Sequence, residues 1–261
     1  MVRGVKSCII TIRPLRGPDH VLRLEMPELF NTVSDEIFAR FPDYVRGVVV
    51  AHNVVNGVSP APLVELLREA EGSVREQIGT AEITAHPRIA AWRDAFKKVG
   101  IKASEYRPST EAMARRALRN QELPCINALV DIGNVLSLRH LVSMGGHAID
   151  VVTRDMVLRT ASGEEEFIAF GSDQVEHPVP GEIIFAEGAA VLTRRWCWRQ
   201  ANHTLTLPET TAIEFNIDGL PPVSPGEVEQ ICRETMELVQ RFCGGTCRYG
   251  VITRHNPKVH L

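Results

Sequence analysis

The spacing of apolar residues changes partway along this chain, and that change restricts the fold more than any other feature. From residue 61 to about 140 apolar side chains recur at helical spacing, and from about 148 to 218 they fall into short β-like runs. "APLVELLREAEGSVREQI" predicts a helix opened by Ser59 and Pro60 as cap and first-turn residue. "HPRIAAWRDAFKKVG" predicts a second, with Ile89, Trp92 and Phe96 on one stripe and Gly100 at its stop. "PSTEAMARRAL" predicts a third, capped by Ser109 or Thr110, and "INALVDIGNVLSLRHLVSM" a fourth that Gly145 and Gly146 break. "RGVVVAHNV" reads as a buried strand before the helices; "AIDVVT", "MVLRTA", "EEEFIAF", "GEIIFAEG", "AAVLTRRW" and "TTAIEFNID" read as strands after them. A capped helix, "SPGEVEQICRETMELVQRFCGG", and a strand, "CRYGVIT", close the pattern. Helices together with a run of mainly antiparallel strands imply an α+β fold. Residues 1–35, which include "SCIITIRPL", read as an attached arm or hairpin, 36–255 as the domain and 256–261 as a tail.

Several classes of function are disfavoured. No apolar run approaches the roughly 18–20 residues a membrane span needs. The opening "MVRGVKSCIITIRPLRG" is too short in its apolar part for a signal peptide, so the cytoplasm is the expected compartment. Six scattered cysteines suit reduced thiols, and Cys243 and Cys247 with His255 offer too few ligands for zinc. No nucleotide loop, nucleophile elbow or H-E-x-x-H motif is present, so no metal or other cofactor is expected. The net charge is −3, yet residues 88–119 hold nine basic side chains against three acids, among them Arg88, Lys97, Lys98, Arg115, Arg116 and Arg119. Such a cluster is either a phosphate-binding patch or a pair of solvated helix faces.

The stretch "INALVDIGNVLSLRHLVSMGGHAID" raises a more pointed question. On one helix Asn127, Asp131 and Asn134 stand at i, i+4 and i+7 and share a face. Such a stripe either ties the helix to its neighbours or lines a cleft. The glycines after it would allow close backbone approach and aim His147 into the space beyond.

That stretch, with "AWRDAFKKVGIKASEYRPSTEAMARRAL" before it and "GEIIFAEGAAVLTRRWCWRQ" after it, resembles the B3/B4 domain of the bacterial phenylalanyl-tRNA synthetase β subunit in its free-standing form. Asn127, Val130, Asp131 and Asn134, then the run His147 to Asp150, carry the likeness, which spans about residues 36–253. In the synthetase this module is the editing site that removes tyrosine from the phenylalanine tRNA. The resemblance therefore implies a B3/B4-type fold, a tRNA or aminoacyl-tRNA partner, and hydrolysis of a mischarged aminoacyl ester in trans. It implies catalytic roles for His147 and Glu214, the latter in "TTAIEFNID", and a substrate site bordered by Asn127, Asp131, Asn134 and Trp198. Where the synthetase has a glycine-rich pocket mouth, this chain has "RRWCWRQ"; Trp196 and Trp198 alternate and are expected on one strand face. Arg194, Arg195 and Arg199 beside them suit phosphate or the terminal adenosine, with an indole for stacking. A non-catalytic tRNA- or amino-acid-binding protein is the alternative, and a metabolic enzyme on a borrowed fold a third. The cognate amino acid and the oligomeric state are not specified by these residues.

Overall fold

The computed structural model describes residues 28–261. Its elements run β1 (Phe30–Val33), α1 (Asp35–Arg40), β2 (Val45–His52), α2 (Ala61–Ile78), a 3-10 turn, α3 (Pro87–Lys98), α4 (Ser109–Leu118) and α5 (Ala128–His140). Then come β3 (Ser143–Ala148), β4 (Met156–Thr160), β5 (Phe167–Ile168), β6 (Val175–Glu176), β7 (Ile183–Glu187), β8 (Ala190–Arg194) and β9 (Arg199–Gln200). The chain closes with β10 (Ala212–Gly219), α6 (Pro225–Phe242), β11 (Thr246–Ile252) and β12 (Lys258–His260). This is the α+β fold expected.

Two sheets organise it. One has the order β11-β2-β10-β3 and the other β12-β1-β4-β7-β8-β9, with β5 and β6 paired apart. Among the named strands of the described residues, β1 with β4 is parallel and the other pairings are antiparallel. Residues 1–27 of the expected arm lie outside the described residues, but its end, β1, and the expected tail, β12, both sit in the six-stranded sheet. The six-stranded sheet thus includes residues on both sides of the boundaries expected at 35 and 256.

Side chains alternate across β2 and β10 and so build two different layers. Val45, Val49 and Ala51 with Ile213, Phe215 and Ile217 face α2, α5 and α6 in one apolar core. Helix α6 presents Val228, Ile231, Cys232, Thr235, Leu238 and Val239 at helical spacing and is opened by a full capping box between Ser224 and Glu227. A Cβ on Gly47 of β2 would stand 2.5 Å from Cys232 Sγ, so glycine is what lets α6 lie this close to the sheet. Helix α5 is buried on most sides rather than amphipathic, because it runs between α2, α6 and β3. Its buried polar side chains are satisfied internally: Ser137 Oγ donates to Val142 O at 2.6 Å and Ser59 Oγ to Asp131 at 2.5 Å.

Several local expectations change. Ser59 binds Asp131 and does not cap α2, whose N-cap is Pro60; α4 likewise starts after Pro108, with Ser109 and Thr110 inside its first turn. Helix α5 ends at Leu141, in the left-handed region at φ 47°, before either glycine. Gly145 and Gly146 lie inside β3, and "AIDVVT" holds only its end. The expected strand through Trp198 stops at Arg194, because Arg195 and Trp196 turn at φ 46° and 65°. Such conformations cost roughly 1–2 kcal/mol each for residues other than glycine. The tertiary contact that holds them is plain: the Trp196 ring lies 4.9–5.1 Å from those of Phe41, Tyr44 and Trp92, in the second apolar core. The two tryptophans thus do not share a strand face.

Candidate functional site

The opposite face of β2 and β10 carries a buried polar row toward the six-stranded sheet. In register, Arg46 stands beside Asp218, Val48 beside Asn216 and Val50 beside Glu214, while β3 adds Gly145 beside Asn216 and His147 beside Glu214. Arg46 Nε donates to Asp218 Oδ1 at 2.8 Å, Tyr44 Oη donates to the same oxygen at 2.5 Å, and Asn216 Nδ2 donates to Oδ2 at 3.1 Å. Burial works against the guanidinium charge, but Asp218 and Tyr44 hold its pKa above the ordinary value.

His147 and Glu214 share this face and differ in access. Glu214 is fully buried, accepts from Asn31 Nδ2 at 2.7 Å, and lines neither cavity described below. Burial pushes its pKa up to about 8, against the pull of Arg46. A carboxyl with a raised native pKa is protonated in the folded chain and ionised in the unfolded one between about pH 4.5 and about 8, so it lowers stability as pH rises through that window. Glu214→Gln is expected to flatten this slope, a result that urea unfolding from pH 5 to 9 checks; an unchanged slope would show that Glu214 is ionised when folded.

His147 is 2% exposed, with Nδ1 2.7 Å from Thr204 Oγ1 and Nε2 3.4 Å from Thr193 Oγ1. Burial, aided by Arg46, pushes its pKa down to about 3, so the imidazole is neutral and a weak base at physiological pH. It lines a polar slot of about 100 Å³ with Arg46, Asn216, Asp218, Trp198 and Arg199.

A second cavity, of about 430 Å³, lies on the other side of edge strand β3. Its walls include Leu129, Val130, Ile213 and Phe215, and its polar groups include Asn127, Asn134 and Gln200. None of its lining residues is acidic, basic, histidine or cysteine. Met144, Gly145 and Gln200 border both spaces. Gln200 Nε2 donates to Gly146 O at 2.9 Å and lies 3.4 Å from His147 Nδ1.

The other expected site residues separate. Asn127 is the N-cap of α5, accepting from Val130 N at 3.0 Å and donating to Thr206 O at 2.8 Å, so the three-residue helical stripe reduces to Asp131 and Asn134. Asp131 is fully buried against Ser59 and Ile126 N and reaches neither cavity. Arg194 is 4% exposed and held by Glu182 and Glu176, which leaves no guanidinium face for a phosphate. Arg195 packs over Tyr106 and Trp198, at 3.7 and 4.5 Å from the ring centroids, whereas Arg199 is exposed at the slot mouth.

The basic cluster also divides. Arg88 pairs with Glu227, and Arg93 and Arg115 both grip the buried Glu111. Lys97, Lys98, Arg116 and Arg119 are exposed, although the Arg116 guanidinium donates to Glu122 O. Arg46, Asn216, Asp218 and Gln200 were not singled out from the sequence. The signal was present in "EFNID", where Glu214, Asn216 and Asp218 alternate with Phe215 and Ile217 and so give the strand one polar face.

Among the described residues no helix is long and apolar enough to cross a membrane. A search of curated proteins finds no match. Among solved structures the chain is similar to an N-terminal fragment of the phenylalanyl-tRNA synthetase β subunit from Pyrococcus horikoshii, at 10% identity and a TM-score of 0.42. The match covers 83% of this chain and 49% of that one, so the chain spans about half the length of that fragment. The B3/4 domain family matches residues 91–244, from within α3 through α4, α5 and the strands β3 to β10 to the turn after α6. With more than half of its length matched, and in agreement with the likeness carried by residues 126–150, the chain belongs to the B3/4 domain family.

Proposed function

We propose that this B3/4 domain binds aminoacyl-tRNA and hydrolyses an incorrectly attached aminoacyl ester in trans. The observation that carries this reading is the 430 Å³ cavity, apolar in its walls, with Asn127, Asn134 and Gln200 as polar contacts, opening beside a glycine-lined sheet edge. Its size and walls suit a large apolar side chain, and the amides suit the ester and ammonium groups beside it. An aminoacyl ester is already activated, so a water held in place suffices without a serine or cysteine nucleophile. Because no titratable group lines the cavity and His147 is a weak base, the chain's contribution is to position the ester, its attacking water or the terminal ribose hydroxyl. Arg199 and Trp198 at the neighbouring slot mouth offer a charge and a ring face to the end of the tRNA. In this reading Glu214 acts through Asn31 and Arg46 and does not touch the amino acid.

A panel of mischarged tRNAs incubated with the purified protein tests this directly; ester loss above the spontaneous rate for one or a few of them is expected. The same lack of a titratable group favours a second reading, a domain that binds the aminoacyl end without turnover. tRNA binding with no ester loss across the panel would select it. For the polyanion surface, Arg116→Glu with Arg119→Glu is expected to weaken tRNA binding and reduce its log–log salt slope by roughly one to two. Arg115 is unsuitable for this test, because reversing it would strip a partner from buried Glu111. An unchanged affinity and slope would return these arginines to a solvated helix face.

A further inference from the structure

The polar slot holds two buried atoms whose hydrogen-bonding capacity the protein does not use, and they differ in kind. Arg46 Nη1, a donor, and Asn216 Oδ1, an acceptor, have no partner among the described residues. Their side chains are tied to one carboxylate oxygen: Arg46 Nη2 and Asn216 Nδ2 both donate to Asp218 Oδ2, at 3.3 and 3.1 Å. The contact with Asp218 also fixes the orientation of the Asn216 amide, since only its nitrogen can face a carboxylate. Glycine is required at 145 beside this oxygen, because a Cβ there would stand 2.8 Å from it. Phe185, Trp196 and Trp198 supply apolar walls.

The geometry points to a ligand site for a primary carboxamide in this slot. Its carbonyl would accept from Arg46 Nη1 and its amide nitrogen would donate to Asn216 Oδ1. A carboxylate fits badly on two counts. It presents only acceptors, so it would face the Asn216 oxygen with like polarity. It also brings a net charge into a site where Asp218 already balances Arg46, and uncompensated buried charge is costly. A cavity of ~150 Å³ holds a benzene ring, so a slot of about 100 Å³ takes a carboxamide with a short carbon stem. Arg199 and Trp198 at the mouth then meet whatever the stem carries. The site is independent of ester hydrolysis and stands whether or not the domain turns over a substrate.

Titration of the full-length, isotope-labelled protein with propionamide, and separately with propionate as its charged isostere, tests this by NMR. Saturable shifts of the Asn216 side-chain amide and the Trp198 indole are expected with propionamide, at an affinity at least about tenfold tighter than with propionate. Asn216→Leu, or Gly145→Ala if that variant does not fold, is expected to weaken propionamide binding about tenfold or more. No saturable shift with propionamide, equal or tighter binding of propionate, or full binding by the folded variant would overturn the assignment and leave the slot a hydrated seam.

Discussion

Asp218→Ala is expected to lower the free energy of unfolding by about 3–5 kcal/mol, the range for removing one partner of a buried ion pair. The pair it breaks is unusually enclosed: the Arg46 and Asp218 side chains are 1% and 0% exposed. The loss does not stop at the guanidinium, because Tyr44 Oη and Asn216 Nδ2 donate to the same carboxylate and would also lose their acceptor. Each orphaned buried donor adds its own desolvation cost, of roughly 1–3 kcal/mol. Replacing both charges at once, with Arg46→Met and Asp218→Leu, removes the uncompensated charge and is expected to cost clearly less than Asp218→Ala alone. Urea unfolding at pH 7 measures both. A single variant within 1 kcal/mol of the parent would mean that water reaches Arg46 in the folded protein.

The second large effect concerns turnover. His147→Ala is expected to slow deacylation by roughly 10- to 100-fold, the scale that attends loss of an orienting contact near the reacting atoms. The histidine does this through its neighbours. Its Nδ1 meets Thr204 Oγ1, and Gln200, which borders both cavities, lies 3.4 Å from the same nitrogen. A pH profile separates this role from that of a proton acceptor. With its pKa pushed down to about 3, His147 does not titrate between pH 5.5 and 8, so the parent's rate should show no bend near pH 6.5. Such a bend, absent in His147→Ala, would make His147 a general base and sink the positioning role. The lowered pKa has a stability consequence of opposite sign to that of Glu214. The unfolded histidine takes up a proton that the folded one refuses, so stability falls as pH drops from about 6.5 toward 3.

Elements with strong local causes were legible in the chain. Helix α2 occupies the stretch its apolar spacing indicates, Ala61–Ile78, and α6 starts at the capping box of Ser224 and Glu227. The order of residues 126–150 pointed to the family that the match over residues 91–244 supports. Boundaries that depend on a partner were not legible. Nothing local distinguishes Gly145 and Gly146 as helix breakers from the same residues inside an edge strand; pairing with Asn216 and Phe215 of β10 makes the difference. Trp196 and Trp198 look like alternate strand positions until the aromatic contacts with Phe41, Tyr44 and Trp92 pull the chain through a left-handed turn.

The candidate site divides along the same line. Residue type and spacing drew attention to Asn127 and Asn134, because polar groups beside apolar runs stand out in one dimension, and the family resemblance drew it to His147. Which atoms remain available was decided only in three dimensions. Arg194 is an accessible cation by sequence, yet Glu176 of β6 and Glu182, just before β7, occupy it. Arg46 is unremarkable in "YVRGVVV", yet registry places it against Asp218, 172 residues away, and leaves its Nη1 without a partner among the described residues. Local sequence sets the period of each element, since backbone and neighbouring side chains compete within a few residues. The satisfaction of a buried charge or donor depends on a group far along the chain, and only tertiary packing brings that group near.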